Sequence, residues 1–173
     1  MVLGTERLIL RPLHAGDAGV VRELAGDCEV ARTTLHIPHP YPDGAAQEWI
    51  AGLRPAAKEG RLHTFAMVRR SDDLFLGVIS LATEKEHRRA ELAYWLGRPY
   101  WGQGYTTEAA RRMVRFGFEQ LDLHRICAFA MAKNPASARV MQKIGMSHEG
   151  RLVQHIRKWD QYEDLDAYGI IRP

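Results

Sequence analysis

The stretch Glu91-Leu-Ala-Tyr-Trp-Leu-Gly-Arg-Pro-Tyr-Trp-Gly-Gln-Gly-Tyr-Thr-Thr-Glu108 reads as a strand, a glycine-punctuated turn and the start of an amphipathic helix. That arrangement leaves backbone N–H groups unpaired at a helix N-terminus, where they can hold an anion. The chemistry it points to is the binding of a phosphate-bearing ligand. A second segment, Asn134 to Gly145, carries the punctuation of a short helix. Asn134 can cap it, Pro135 suits its first position, and Gly145 suits the left-handed residue just past its end. By local propensity this is only a well-built helix; Asn134 and Ser137 gain functional interest in combination with the glycine turn.

Other nucleotide and nucleophile motifs fit poorly. A P-loop needs Gly-x-x-x-x-Gly-Lys-Ser/Thr, and Gly97 and Gly102 have the separation, but Gln103 and Gly104 stand where the lysine and hydroxyl residue belong. A dinucleotide fingerprint needs a small residue where Thr107 stands, and it should open the first strand–helix–strand unit of a parallel sheet. Here several strands joined without helices precede the turn. Gly145-Met-Ser147-His-Glu149 fails as a serine-hydrolase elbow because Glu replaces the closing Gly. His36 and His39 lack an evident third metal ligand, so a solvated loop explains them better than a metal site, and no metal is expected.

The elements that must position these residues follow from the rest of the chain. At 173 residues and 46% hydrophobic content, residues 1–173 are expected to form one domain that buries most of its apolar surface. The 24 basic and 21 acidic residues give a net charge of +3, with Lys and Arg scattered, which argues against a nucleic-acid partner. A basic lining for a polyanionic small ligand is compatible with that balance. Cys28 and Cys127 cannot make a disulfide framework or a four-ligand zinc site, and Cys127, in the apolar run Ile126 to Met131, reads as a buried thiol. No apolar signal stretch precedes Glu6 and Arg7, and the longest apolar run, Leu74 to Ala82, falls far short of the roughly 18 residues of a membrane span. A soluble, cytoplasmic protein without a membrane partner is the expectation.

Strand character runs from Leu8 to Leu13. Helical spacing follows from Ala15 to Ala25, through Ala18, Val21, Leu24 and Ala25, and a second helix is predicted from Ala45 to Lys58. Between them, Ala31 to Gly44 is too Pro-rich for a continuous element and reads as a surface loop beside the site. Thr64–Arg69 and Leu76–Thr83, joined by the polar break Ser71-Asp-Asp, predict a hairpin that Arg89–Leu96 extends. Tyr105, Ala109, Met113, Phe116, Gly117 and Leu121 recur at three- and four-residue steps, which predicts a long core-facing helix. A strand Arg125–Met131, a short helix Pro135–Ile144 and strands near Gly150–Arg157 and Tyr162–Ile171 complete the reading.

Taken together, Arg89-Ala-Glu-Leu-Ala-Tyr-Trp-Leu, Tyr100-Trp-Gly-Gln-Gly-Tyr-Thr-Thr-Glu-Ala109 and Asn134-Pro-Ala-Ser-Ala-Arg-Val-Met-Gln-Lys-Ile-Gly-Met146 resemble the GNAT N-acetyltransferase superfamily. The resemblance is narrower to the branch typified by RimJ and RimL, the ribosomal-protein N-terminal acetyltransferases. The opening Thr5-Glu-Arg-Leu-Ile-Leu-Arg-Pro12 and the closing Tyr162-Glu-Asp-Leu-Asp-Ala-Tyr-Gly-Ile170 share it, so it covers nearly the whole chain. It implies an α/β (α+β) GNAT fold: a mixed, mostly antiparallel sheet with helices on both faces, splayed between the strand ending near Leu96 and the strand beginning near Arg125. Acetyl-CoA, as acetyl donor, would lie in the splay. Backbone N–H groups of Gly102, Gln103, Gly104, Tyr105, Thr106 and Thr107 would hold its pyrophosphate. The backbone of Tyr94, Trp95 and Leu96 would pair with the pantetheine arm, Asn134 would hold it from the other side, and Arg139 would contact the adenosine phosphate. The superfamily pattern often has Gln or Arg where this chain has Trp101, and Gly or Ala where it has Thr106; a loop that binds through main chain tolerates both departures.

Acetyl transfer to nitrogen needs a neutral amine, stabilisation of the tetrahedral intermediate and a proton for the departing thiolate. Glu91, on the strand beside the implied acyl site, could remove the amine's proton directly or through water; as a bland alternative it is an exposed strand carboxylate. Many superfamily members take the acid from a tyrosine where this chain has Met141, so that role does not carry over. RimL-like members suggest instead a serine three residues after the Asn, which is Ser137, and the N–H near Leu96 would serve as oxyanion donor. The branch implies a protein or peptide N-terminal α-amine as acceptor. A small amine such as a polyamine, amino acid or aminoglycoside is the alternative, and a catalytically weak acyl-CoA-binding module is a reading of another class. His36, His39, Tyr41, His155 and Trp159 would line the acceptor side by analogy. Asp164 and Asp166 share a strand face and could attract a cationic amine or simply be solvated. Related enzymes include monomers and dimers, so a homodimer is compatible.

Overall fold

The computed structural model describes residues 1–173. The chain opens with β1 (Leu3–Gly4) and β2 (Leu8–Arg11), followed by a 3-10 turn at Ala15–Asp17, α1 (Ala18–Ala25), α2 (Cys28–Ala31) and α3 (Ala45–Lys58). Three strands come next, β3 (Leu62–Arg69), β4 (Leu74–Glu84) and β5 (Arg89–Leu96), then α4 (Tyr105–Glu119), β6 (Arg125–Met131), α5 (Pro135–Lys143), β7 (Ser147–Lys158) and β8 (Gln161–Ile171). All the strands form one sheet in the order β1-β2-β3-β4-β5-β6-β8-β7. Every pair is antiparallel except β5 with β6, which are joined by a helical crossover through α4. The expected mixed, mostly antiparallel fold is what forms.

Strand alternation builds two cores, one on each face. Phe65, Met67, Ile79, Leu81 and Leu92 pack against Ala109, Met113 and Phe116 of α4 and Met141 of α5. Their neighbours in sequence, Ala66, Val68 and Val78, point the other way and meet Val21 and Ala25 of α1 and Ala46 and Ile50 of α3. β4 is apolar nearly throughout because both of its faces are covered. Gly117, in mid-α4, allows the helix to approach the sheet: a Cβ there would lie 2.8 Å from the Ile126 side chain and 3.1 Å from that of Leu123.

Several boundaries differ from the sequence reading. The first strand stops at Arg11 because Pro12 cannot donate to a ladder. The predicted helix Ala15–Ala25 divides at Asp17, whose carboxylate accepts from the His14 N–H at 2.9 Å and takes both ends of the Arg11 guanidinium at 2.8 Å. Neither β1 nor α2 was anticipated; Asp27 caps α2 by accepting from the Glu29 N–H. β7 starts at Ser147, earlier than expected, and Cys127 is partly rather than fully buried, with burial still pushing its thiol up.

Candidate active site

The parallel pair opens almost as soon as it forms. Only Arg89 with Arg125, Ala90 with Ile126 and Glu91 with Cys127 are in register; beyond them β5 and β6 diverge. Glu91 therefore sits at the vertex of a wedge. Gly97 donates to Leu76 on the β4 side, so by alternation the backbone groups of Tyr94 and Leu96 face the wedge. A cavity of about 910 Å³ occupies the opening. Glu91, Ala93 and Trp95 reach it from the α1 and α3 face, Tyr94 and Leu96 from the α4 and α5 face, so it passes through the sheet.

One wall is the glycine turn. Gly102 and Gly104 adopt left-handed backbone at φ 76° and 81°, a conformation that favours glycine. Gly104 is the N-cap of α4, and the helix makes its first backbone bond from Glu108 to the Gly104 carbonyl. The N–H groups of Gly102 to Thr107 thus have no protein acceptor, and the helix dipole adds positive potential there. The turn is fastened from outside. Trp101 Nε1 donates to the Leu96 carbonyl at 2.7 Å, tying the turn to the end of β5. Arg7 donates to the Gln103 carbonyl at 3.1 Å and to Glu108 at 2.7 Å, and lies over the Tyr105 ring at 4.6 Å. Thr5 completes the clasp by donating to Glu108 at 2.6 Å. Burial alone would push the Glu108 carboxyl up, but these donors outweigh it and hold it below its usual range.

The opposite wall is α5. Asn134 Oδ1 accepts from the Ser137 N–H at 3.2 Å, which caps the helix and leaves the Asn134 amide donors free. The Ser137 hydroxyl lies 2.9 Å from the Tyr94 phenol. Met141 is 1% exposed within the core and offers no polar group. Arg139 lines the cavity without a side-chain partner.

At the vertex, Glu91 has neither an ion-pair nor a hydrogen-bond partner. It is reachable through the open cavity, yet the protein around it desolvates the carboxyl enough to raise it above the usual range, with His36 opposing and Glu84 reinforcing the shift. Such a group gains more by taking a proton than an ordinary surface carboxylate does. Beside it on the same face, Thr64 stands opposite Ser80 in register, and both hydroxyls line the cavity with no protein partner for the buried Thr64 Oγ1.

Of the site residues named from sequence, Glu91, Tyr94, Trp95, Leu96, Gly102, Gly104, Tyr105, Thr106, Thr107, Asn134, Ser137 and Arg139 all border this one cavity. Gln103 does not; its carbonyl is turned outward to Arg7. Of the residues expected to line the acceptor side, His36 and His155 border the cavity, while His39 instead lies tilted against the Trp159 ring, centroids 5.8 Å apart, and Tyr41 packs against the α1–α3 core. The Pro-rich loop is held by Lys158, whose ammonium donates to the Leu35 and Ile37 carbonyls at 3.3 and 2.8 Å. Asp164 and Asp166 have partners within the β7–β8 hairpin: Asp164 accepts from the Gln154 N–H at a bulge, and Asp166 binds Arg151 bidentately at 2.8 and 2.9 Å. Trp49, Leu53, Thr64 and the Tyr94 phenol were not anticipated as cavity groups. For Tyr94 a signal existed, since alternation places its side chain opposite in sense to that of Glu91.

No helix is long and apolar enough to cross a membrane. The sequence model of the acetyltransferase (GNAT) domain matches residues 7–147. YoaA of Bacillus subtilis (strain 168), an uncharacterized N-acetyltransferase, is 30% identical over 173 residues, covering 99% of this chain and 97% of that one. Two solved structures share the fold. RimL, a ribosomal L7/L12 alpha-N-protein acetyltransferase in complex with coenzyme A, superposes with a TM-score of 0.91 at 18% identity over 99% of this chain and 98% of that one. A spermidine N-acetyltransferase from Vibrio cholerae, in complex with CoA and spermine, gives 0.82 at 21% identity over 95% of each chain. The chain belongs to the GNAT acetyltransferase family and is an acetyl-CoA-dependent N-acetyltransferase.

Proposed function

We propose that this enzyme acetylates the α-amino group of a protein or peptide N-terminus by direct attack on acetyl-CoA in a ternary complex. The observation that carries the mechanism is the wedge, which joins an unpaired carboxylate on one face of the sheet to a hydroxyl and a row of free N–H groups on the other. Glu91 takes the amine's proton, directly or through water; the wedge-facing N–H of Leu96 donates to the acyl oxygen; and Ser137 donates a hydrogen bond to the departing sulfur. The N–H groups of Gly102 to Thr107 receive the donor's pyrophosphate, the wedge-facing backbone of Tyr94 and Leu96 its pantetheine, with Asn134 across from it, and Arg139 its adenosine phosphate.

Two observations favour an N-terminal amine. A carboxylate base suits an α-amine, whose reference pKa is near 8, better than a lysine near 10.4. The cavity's other acidic residue, Glu29, is already paired with Arg32 at 3.3 Å, so one free carboxylate faces the acceptor. A polyamine would bring further charges with no partner to compensate their desolvation. RimL's stated acceptor supports the same reading, whereas the spermidine enzyme of the same fold supports the alternative of a small amine. The deciding experiment is acetyl-CoA-dependent thiol release scanned over peptides with free N-termini, the same peptides N-terminally blocked, and polyamines. Turnover on free but not blocked termini is expected; turnover on polyamines alone would overturn the acceptor assignment, and CoA binding with no transfer to any amine would overturn the catalytic one.

A further inference from the structure

The contact between Tyr94 and Ser137 joins β5 to α5 across the wall of the cavity. The Tyr94 phenol lies 2.9 Å from Ser137 Oγ and 3.2 Å from the Ser137 carbonyl oxygen, to which it can donate. Burial raises the phenol to about 12, with Ser137 opposing, so it stays protonated near neutral pH. The Ser137 N–H is spent on Asn134, and Met141 has no polar group to add. Ser137 Oγ therefore has one neighbour on this wall that can decide where its own proton points.

Two hydrogens serve the pair. If the serine hydroxyl donates to the phenol oxygen, its proton is consumed inside the wall while the phenol donates to the Ser137 carbonyl. If the phenol donates to Ser137 Oγ, the serine proton is released toward the cavity, and the donation polarises it into a better donor. A developing negative charge on the cavity side selects the second arrangement. We propose that Tyr94 is a positioning residue: its phenol donates to Ser137 Oγ and so directs the serine proton at the departing thiolate. This rests on the role proposed above for Ser137. As the carbon–sulfur bond breaks and its electron pair moves to sulfur, the Ser137 hydroxyl donates to that sulfur while both hydroxyls keep their protons. Solvent then protonates the thiolate, and Glu91 returns to solvent the proton it took from the amine. The phenol that many superfamily members place where Met141 stands is thus supplied from the neighbouring strand, one hydrogen bond removed from the sulfur.

The test needs no acceptor. The thiol of bound CoA is titrated by its ultraviolet thiolate absorbance in wild type, Tyr94→Phe, Ser137→Ala and the double variant. Bound CoA should ionise about tenfold less readily in Tyr94→Phe than in wild type, equally so in Ser137→Ala, and in the double variant no less readily than in either single one. With an acceptor present, kcat should fall about tenfold in Tyr94→Phe with the acetyl-CoA KM unchanged. An unshifted titration in Tyr94→Phe, or an equal loss from Tyr94→Phe whether or not the Ser137 hydroxyl is present, would overturn the inference. Shifts from Ser137→Ala without any from Tyr94→Phe would leave the serine's role standing and remove the tyrosine's.

Discussion

Asp17 and Glu91 are carboxylates on the α1 side of the same sheet, and the fold treats them in opposite ways. Asp17 is 4% exposed, and its oxygens are taken by Arg11 and the His14 N–H. Burial would push its carboxyl up, but these donors outweigh it and hold it below the usual range. Glu91 has no such partners and is raised by burial. One carboxylate is used up in fixing the start of α1; the other is left without a protein partner where β5 and β6 diverge. The compensated carboxylate completes the fold, and the uncompensated one is the group to which the proposed mechanism assigns the proton transfer.

The comparison can be broken in four ways. Removing the charge of Asp17 leaves Arg11 uncompensated, so Asp17→Asn should cost about 2–4 kcal/mol in urea unfolding while the folded fraction keeps its turnover. An unchanged midpoint would mean the pair is not structural. Removing the charge of Glu91 has the reverse profile: Glu91→Gln should lower kcat by about a hundredfold or more with acetyl-CoA affinity nearly unchanged, and should leave thermal stability equal or slightly higher. A lowered melting temperature would place Glu91 among the structural carboxylates. Ser137→Ala, which removes one hydrogen bond to a developing charge, should slow transfer about tenfold and weaken CoA binding less; wild-type turnover would remove the serine from the mechanism.

The smallest effect is in stability against pH, and its sign differs for the two groups. Asp17, depressed when folded, contributes stability that is complete above its unfolded value near 3.9 and is lost as pH falls through the lower folded value. Glu91, raised when folded, costs nothing below its unfolded value near 4.3, and its cost grows as pH rises through the higher folded value. Stability curves of Asp17→Asn and Glu91→Gln against wild type should therefore converge with it in acid and separate in opposite directions toward neutral pH. Separation in the same direction would contradict the assigned shifts.

Much of this was legible in the sequence because it rests on local chemistry. The α4 stripe, the Gly104 cap and the Asn134-Pro135 start each follow from residues within one or two turns of one another. The unpaired N–H groups of the glycine turn were legible for the same reason, since Gly102 and Gly104 need no distant partner to take up their left-handed backbone. What was not legible depends on pairings far apart in the chain. Asp164 and Asp166 looked free until register set Arg151 opposite Asp166. The clasp of Thr5 and Arg7 on Glu108 was hidden in a motif that carried the family resemblance and led into a strand, with nothing local to pair it with α4. The Tyr94 phenol was overlooked because the family argument used that residue's backbone, although strand alternation alone puts its side chain on the Ser137 side of the wedge.

The most direct test of the central claim is the pH dependence of kcat/KM, from about pH 5 to pH 9, for wild type and Glu91→Gln on one free N-terminal peptide. The wild-type profile should rise through an ionisation above the usual carboxylate range, followed by that of the amine; in Glu91→Gln the earlier rise should vanish, leaving a slower reaction governed by the amine alone. Superimposable profiles of equal height would contradict the assignment of Glu91 as the base.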